Sequence, residues 1–229
     1  MNNCYLDAEA VITFFRMTGR KHIFITGSRG SGKSHLVNNM LKYMSDSFNL
    51  LQSHRTDTPQ VVIKSNLVAD NKEFVIGIPR TSGINPVSKG NNMTIIEDGF
   101  INCAIPAIDT HLDTTPERLF VIDELGYLES SCIPFQKAVE KLLDNSHVLA
   151  VIRKQSTEFL NRICNRKDVL VIDIDNTFET LSCIIMASGM SKRFGSNKLI
   201  TDFNGRSLFE NAVSILSLIH ISEPTRHAQ

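Results

Sequence analysis

Apolar runs of strand length alternate along this chain with segments whose apolar residues recur at helical spacing. A buried strand gives a short continuous apolar run, whereas an amphipathic helix places apolar residues three or four positions apart. The first pattern predicts strands at 22–26, 61–66, 73–80, 94–97, 119–122, 147–152 and 169–174. The second predicts helices at 34–44, 134–144 and 157–164, and the segment 100–112 is ambiguous, with a helix favoured beyond Pro106.

This alternation predicts an α/β fold around a mostly parallel, doubly wound sheet. The strands at 61–66 and 73–80 flank a polar turn at 70–72, so we expect them to pair as a β-hairpin at an edge of the sheet or as an insertion. After the polar segment 176–180 the pattern restarts with an apolar strand at 183–187 and a second glycine-rich loop. A glycine-rich loop also follows the strand at 22–26, so we expect two units that begin in the same way, of which the second has too few residues to close its own sheet.

The composition excludes several functional classes. The 229 residues carry 24 Lys and Arg against 24 Asp and Glu, and this zero net charge argues against a general binder of nucleic acids or anionic membranes. No apolar run reaches the roughly 18 residues of a membrane helix, and no secretory signal begins the chain. The five cysteines form no CxxC pair, so we expect a reduced, cytoplasmic protein. No motif indicates its oligomeric state.

The first glycine-rich loop follows the strand at 22–26 and opens the helix at 34–44. It matches the phosphate-binding pattern GxxxxGK[ST] in the context that the pattern requires. Its glycines allow the backbone to wrap around phosphates, and its N–H groups and the helix N-terminus attract the anion. We expect Lys33 to reach the β- and γ-phosphates and the Ser34 hydroxyl to bind Mg²⁺. The predicted nucleotide-binding residues are Gly27, Ser28, Arg29, Gly30, Ser31, Gly32, Lys33, Ser34 and His35.

A carboxylate pair, Asp123 and Glu124, directly follows the predicted strand at 119–122. The carboxyl end of a parallel strand faces the ligand crevice of such a sheet. We expect Asp123 to hold Mg²⁺ through water, and Glu124 to orient or deprotonate the attacking water. The pair favours hydrolysis over phosphoryl transfer to a second substrate, because a kinase must keep water away from the γ-phosphate.

The stretch VIDELGYLE at 121–129 resembles the motif IDE-[IL]-G-x-[ML]-E of a nucleoside-triphosphatase family known from thermophiles and from a cancer-related human member. The order of phosphate loop, hairpin, acidic motif, helix and strand is also similar over about residues 20–175. The resemblance implies a P-loop fold of the RecA-like class and Mg²⁺-dependent hydrolysis of several nucleoside triphosphates. It implies roles for Lys33, Ser34, Asp123 and Glu124, and extends to Glu129.

Three arginines outside these motifs are candidates for stabilising the charge of the transition state. Arg80 lies in the predicted hairpin, whereas Arg162 and Arg166 lie near a helix end, from which they could act across a subunit interface. The alternative for each is a solvated position. The segment 165–168, with sequence NRKD, is close to the guanine-specificity pattern NKxD but carries Arg in the Lys position, so no base preference is predicted.

The second loop, ASGMSKRFGSNKL at 187–199, resembles the signature A-[AG]-G-x-S-x-R-[MF]-G-x-x-K-L of MobA-like NTP transferases. These enzymes transfer cytidylyl or guanylyl groups in molybdenum-cofactor maturation, so the resemblance implies a Rossmann-like nucleotidyltransferase that takes CTP or GTP when it is intact. It also implies that the loop backbone holds the triphosphate and that two basic side chains neutralise it. The residues concerned are Ala187, Ser188, Gly189, Arg193 and Lys198, and Ser188 is the departure from the usual pattern.

The segment from 216 onward resembles translated sequencing-adapter DNA over eleven residues, and the alternative is a helical tail at 208–221. We therefore expect a P-loop nucleoside-triphosphatase domain at 1–176, a linker at 177–180, part of a transferase domain at 181–215 and a non-native tail at 216–229. The metal ligand and cofactor pocket of such transferases lie further downstream. The transferase part is thus expected to be inactive, and the natural protein to continue.

Hydrolysis of a nucleoside triphosphate to diphosphate and phosphate is the leading functional hypothesis. A second is a nucleotide-dependent switch or delivery module for cofactor maturation, with very slow turnover in the absence of its partner. A third is a small-molecule P-loop kinase, which would need an acceptor pocket and lid arginines such as Arg153. Phosphate release without any acceptor distinguishes the first hypothesis from the others.

Overall fold

The structure is a computed structural model that describes residues 7–44, 47–80, 93–175, 202–203 and 205–211. The second glycine-rich loop, with Ala187, Ser188, Gly189, Arg193 and Lys198, lies outside the described residues, as does the segment 216–229. The predictions made for them are therefore carried by the sequence alone.

Eight strands form one mixed sheet: β1 His22–Gly27, β2 Phe48–Arg55, β3 Val61–Ser65, β4 Phe74–Pro79, β5 Met93–Ile95, β6 Leu119–Leu125, β7 His147–Arg153 and β8 Val169–Asp173. Their order across the sheet is β5-β4-β3-β2-β6-β7-β1-β8. The strands β2, β6, β7, β1 and β8 are mutually parallel, whereas β3, β4 and β5 extend the sheet antiparallel beyond β2.

The antiparallel half modifies the predicted, mostly parallel sheet. The hairpin is confirmed as β3 and β4, and β5 pairs with β4 to form the edge of the sheet. The strand β2, which the apolar pattern did not predict, joins the two halves: it is parallel to β6 on one side and antiparallel to β3 on the other. The sheet is therefore mixed because one strand connects a parallel core to a three-stranded meander.

Helices cover both faces of the sheet, as a doubly wound arrangement requires. Val11 and Met40 belong to the apolar cluster on one face, and Ile108, Phe135 and Phe159 belong to the cluster on the other. The helices of the first face are α1 Ala8–Thr18 and α2 Lys33–Met44. Those of the second are α4 Ile105–Thr114, α5 Ile133–Asn145 and α6 Glu158–Cys164, and a short turn, α3 Glu97–Gly99, precedes α4.

The ambiguous apolar segment is helical well before Pro106. A π-helical stretch, Phe100–Ala104, links α3 to α4, and the N–H of Ile105 donates to the carbonyl of Phe100. Proline removes a backbone donor and clashes with the carbonyl four residues earlier. The wider π turn directly before Pro106 accommodates both effects, which lets the helical path continue through the proline.

Within the described residues, no helix combines the length and apolar character needed to cross a bilayer. In the region predicted as a transferase segment, Asp202–Phe203 pairs antiparallel with Arg206–Ser207. A helical turn follows at 208–211. The hydroxyl of Ser207, just before this turn, accepts a hydrogen bond from the N–H of Glu210.

Candidate functional site

The phosphate loop connects β1 to α2 at the carboxyl edge of the parallel strands. Gly27 has a φ of 156°, and a Cβ there would come within 2.6 Å of Ile174 Cγ1 and 2.9 Å of Ser31 Oγ, so no larger residue is accommodated. The loop is closed on itself, because the Ser31 hydroxyl donates to the Ser28 carbonyl oxygen at 2.7 Å. Packing against Ile174 and Ser31 therefore requires glycine at position 27, and the missing side chain also lets a phosphate approach the backbone.

Lys33 begins α2 and turns its ammonium back over the loop. Its Nζ donates to the carbonyl oxygens of Gly27 at 2.9 Å and Ser28 at 2.8 Å. The positive end of the α2 dipole points to the same place. This end of the loop is consequently an anion site with a cation held directly above it.

A carboxylate just after β8, the strand that pairs with β1, is bound to the start of the loop. Asp175 Oδ2 accepts hydrogen bonds from the Ser28 N–H and the Ser28 hydroxyl, both at 2.6 Å. The Lys154 ammonium bridges Asp173 at 2.8 Å and Asp175 at 3.1 Å. The hydrogen bonds from Ser28, followed by those from Lys154, hold the pKa of Asp175 below its ordinary value. The loop is therefore anchored to the segment after β8.

Asp123 and Glu124 lie within β6 rather than just after it, because the strand extends to Leu125. Asp123 accepts a hydrogen bond from the Gln52 amide at 3.3 Å. Burial raises the pKa of Asp123, and the neighbouring Glu124 adds to that effect, whereas Gln52 and Lys33 oppose it. Glu124 Oε2 lies 3.0 Å from Nε of Arg153. The peptide bond between the two acids is cis.

One open cleft of about 910 Å³ brings the predicted groups together. Its size is within the range of small-molecule sites. Ser31 lies in the same loop, but its hydroxyl is engaged with Ser28. The predicted residues that line the cleft are Gly27, Ser28, Arg29, Gly30, Gly32, Lys33, Ser34, His35, Asp123 and Glu124.

Seven further residues line this cleft that sequence reasoning did not assign to the nucleotide site. Three lie at the end of β2, whose weak apolar pattern gave no signal. The others lie on or just after β7, which the apolar pattern did predict, but only the strand order places β7 between β6 and β1. The seven are Ser53, His54, Arg55, Val151, Arg153, Lys154 and Gln155.

The last acid of the motif, Glu129, has a structural position. It is buried, and its Oε2 accepts the N–H of Gly126 at 2.9 Å, which closes the loop after β6. Burial raises the pKa of Glu129, although backbone N–H groups partly offset this. A small cavity of about 40 Å³ lies between Glu124 and Glu129 and is also lined by Tyr127. Glu129 therefore supports the acidic loop from below.

The three arginines predicted as charge stabilisers do not line the cleft. Arg162 pairs with Glu140 at 2.6 Å, on the face of the sheet covered by α5 and α6. Arg166 binds Asp168 and Asp144, each at 2.8 Å. Arg80 is exposed directly after β4. Among the described residues, the lysines and arginines that line the cleft are instead Arg29, Lys33, Arg55, Arg153 and Lys154.

Comparisons with known proteins relate the chain to a family. A family model described as NTPase matches residues 22–182. The nucleoside-triphosphatase THEP1 of Thermotoga sp. strain RQ2 is 26% identical over 155 residues, which are 67% of this chain and 86% of the relative. The protein of the same name from Thermotoga maritima is 23% identical over 154 residues, with the same shares of the two chains.

Two solved structures share the fold. The crystal structure of THEP1 from Aquifex aeolicus superposes with a TM-score of 0.54 at 18% identity, covering 68% of this chain and 91% of the other. The solution structure of a human cancer-related nucleoside triphosphatase gives a TM-score of 0.50 at 20% identity, covering 67% and 88%. At these identities the likeness concerns the fold, and it extends over nearly all of each solved chain.

Proposed function

This chain belongs to the NTPase family, and we propose that its cleft hydrolyses nucleoside triphosphates to diphosphates and inorganic phosphate. The observation that carries the proposal is the meeting of two groups of residues in one cleft. Lys33 and Ser34 come from the phosphate loop, and Asp123 and Glu124 come from β6, two strands away in the sheet. Phosphoryl transfer depends on positioning and on charge stabilisation, which these groups supply from opposite sides.

The triphosphate is bound by the phosphate loop. The loop N–H groups and the N-terminus of α2 donate hydrogen bonds to the phosphate oxygens, in the manner of other helix N-termini that bind anions. Lys33 exchanges its two carbonyl partners on the loop for oxygens of the β- and γ-phosphates. Because the ammonium already lies over the loop, this exchange needs no movement of the backbone.

The site suits Mg²⁺ by the chemistry of its donors. Ser34 and Asp123 offer a hydroxyl and a carboxylate in the same cleft, and Mg²⁺ is commonly bound by one or two such groups together with substrate phosphates and water. Within the described residues, no cluster of three or more His, Cys, Asp or Glu side chains could hold a metal ion. When bound, the ion would neutralise charge on the phosphates.

Glu124 serves as the general base. Its carboxylate takes a proton from a water molecule, the water oxygen bonds to the γ-phosphorus, and the bond to the β–γ bridging oxygen breaks to release the diphosphate. The cavity of about 40 Å³ next to Glu124 has room for a few water molecules, which supports water as the phosphoryl acceptor.

For residues 181–215 we retain the proposal of a MobA-like transferase segment that would use CTP or GTP. Its support is the sequence signature with Arg193 and Lys198. No step of the hydrolysis involves it.

The test measures phosphate release from ATP, GTP and CTP by the full chain, with Mg²⁺ or with EDTA and without an acceptor. We expect Mg²⁺-dependent release, and we expect Lys33→Ala to lower kcat/KM by about 10²- to 10³-fold because one phosphate-binding donor is lost. Lys42→Ala, on the exposed last turn of the same helix, is the matched control and should keep wild-type turnover.

Two results would contradict the hydrolase proposal. If the wild-type chain binds nucleotide but releases no phosphate above the Lys33→Ala background, a partner-dependent switch replaces it. If phosphate leaves the nucleotide only when a small-molecule acceptor is present, the kinase hypothesis replaces it.

A further inference from the structure

Arg153 is the last residue of β7 and lines the cleft beside Glu124. Its Nε is 3.0 Å from Glu124 Oε2, and the two side chains are 41% and 25% exposed. The pair joins neighbouring strands, because β7 lies between β6 and β1. Arg153 is thus on the strand between the one that carries the proposed general base and the one that leads into the phosphate loop.

The aliphatic part of the Arg153 side chain is held by packing, in addition to the ion pair of its guanidinium. It crosses the loop after β6 so closely that a Cβ on Gly126 would approach Arg153 Cδ to 2.8 Å. The buried Glu129, which holds Gly126 in place, also attracts the guanidinium. A planar guanidinium donates along fixed directions, so a seated stem fixes where the partner carboxylate must lie.

We propose that Arg153 is a positioning residue that holds the Glu124 carboxylate at the place from which it takes the proton of the attacking water. This inference rests on the proposed hydrolase function. Glu124 lies near the carboxyl end of the central strand β6 and is partly exposed to the cleft, where a glutamate side chain has several rotamers. A displacement of a reacting group by about 1 Å can cost about 10²-fold in rate.

The alternative for Arg153 is direct contact with the γ-phosphate. The two roles differ in what happens when Glu124 is already disabled. A residue that acts through Glu124 has nothing left to position in Glu124→Gln, so the two substitutions are not additive, whereas two independent contributions multiply.

The experiment compares the full-length chain with Arg153→Gln, Arg153→Lys, Glu124→Gln and the double variant Glu124→Gln/Arg153→Gln. We expect Arg153→Gln to lower kcat by about 10- to 100-fold, with KM within about threefold. Arg153→Lys should recover part of the loss, because an ammonium pairs with the carboxylate but lacks the fork. The double variant should turn over no more slowly than Glu124→Gln alone.

Lys141→Gln is the matched control. Lys141 also pairs with a carboxylate, Asp109 at 2.9 Å, and is 57% exposed, but it lies outside the cleft. It should keep wild-type kcat, and its thermal unfolding should match the wild type because exposed ion pairs contribute little stability.

Three outcomes would overturn the proposal. Multiplicative losses in the double variant would assign Arg153 to the phosphate, as would a raised KM with unchanged kcat. Unchanged turnover in Arg153→Gln would remove the role while the hydrolase function stands. If the wild-type chain itself releases no phosphate, the proposed function fails and the positioning role fails with it.

Discussion

Replacing Glu124 with Gln should lower the rate of phosphate release by about 10²- to 10⁴-fold, the usual contribution of a general base. Nucleotide binding should remain close to that of the wild type. Gln keeps the size of the side chain and one oxygen, but its amide cannot take a proton from water. The phosphate loop is formed by other residues, with Lys33 held at 2.8 and 2.9 Å by loop carbonyls, so the anion site is preserved.

The measurement combines single-turnover phosphate release with equilibrium binding of a fluorescent nucleotide. Glu140→Gln is the matched control, because Glu140 also pairs with an arginine but lies on α5, outside the cleft. Wild-type turnover in Glu124→Gln would remove the assignment of the base. Loss of binding together with turnover would show that Glu124 acts on the bound nucleotide rather than on water.

The phosphate loop and the acidic pair could be predicted because each depends on neighbours in sequence. A loop of eight residues after a strand, and two acids after an apolar run, carry their geometry locally. The contact between Arg153 and Glu124 could not be predicted in this way. It depends on β7 lying between β6 and β1, and the order of strands in a sheet is not contained in the pattern of any one strand.

The strand β2 was missed for a different reason. Only Asn49 and Leu51 are buried in it, and a polar residue at one of these two positions weakens the apolar run that identifies a strand. Asn49 is accommodated because its amide bonds to His111 at 2.8 Å and to Thr115 at 2.8 Å. Tertiary hydrogen bonds thus allow a polar residue in the core. The strand that contains this residue ends with Ser53, His54 and Arg55, which line the cleft.

The other large effect concerns stability in acid and arises at the opposite end of β1. His22 is fully buried, and within the described residues neither ring nitrogen has a hydrogen-bond partner. Burial lowers the pKa of His22 from 6.5 to about 4, although Asp168 at 3.5 Å opposes the shift. Lys21, Arg166 and His147 add to the lowering. The folded chain therefore keeps this imidazole neutral where the unfolded chain protonates it.

The direction of the pH dependence follows from proton binding. Between pH 6.5 and about 4 the unfolded state binds a proton at His22 that the folded state does not, so the free energy of unfolding falls as the pH falls. The stability that the neutral His22 contributes to the free energy of unfolding is complete above pH 6.5 and is lost by about pH 4. At about 1.4 kcal/mol for each pKa unit, the loss is about 3 kcal/mol.

A His22→Phe variant isolates most of this contribution, because the other titrating groups are common to both proteins. Asp168, which faces the ring, stays ionised over this range in the folded chain, because the Arg166 hydrogen bond lowers its pKa to about 2. At pH 7 the two free energies of unfolding should differ by no more than about 3 kcal/mol, because the closed site must take up the larger Phe ring. Between pH 7 and pH 4 the difference between the two free energies of unfolding should shift by about 3 kcal/mol in favour of the variant. Urea unfolding at pH 7, 6, 5 and 4 measures both, and His22→Leu repeats the test with an aliphatic side chain. A difference that stays constant from pH 7 to pH 4 would mean that the folded chain admits the proton, through Asp168 or through water reaching the ring.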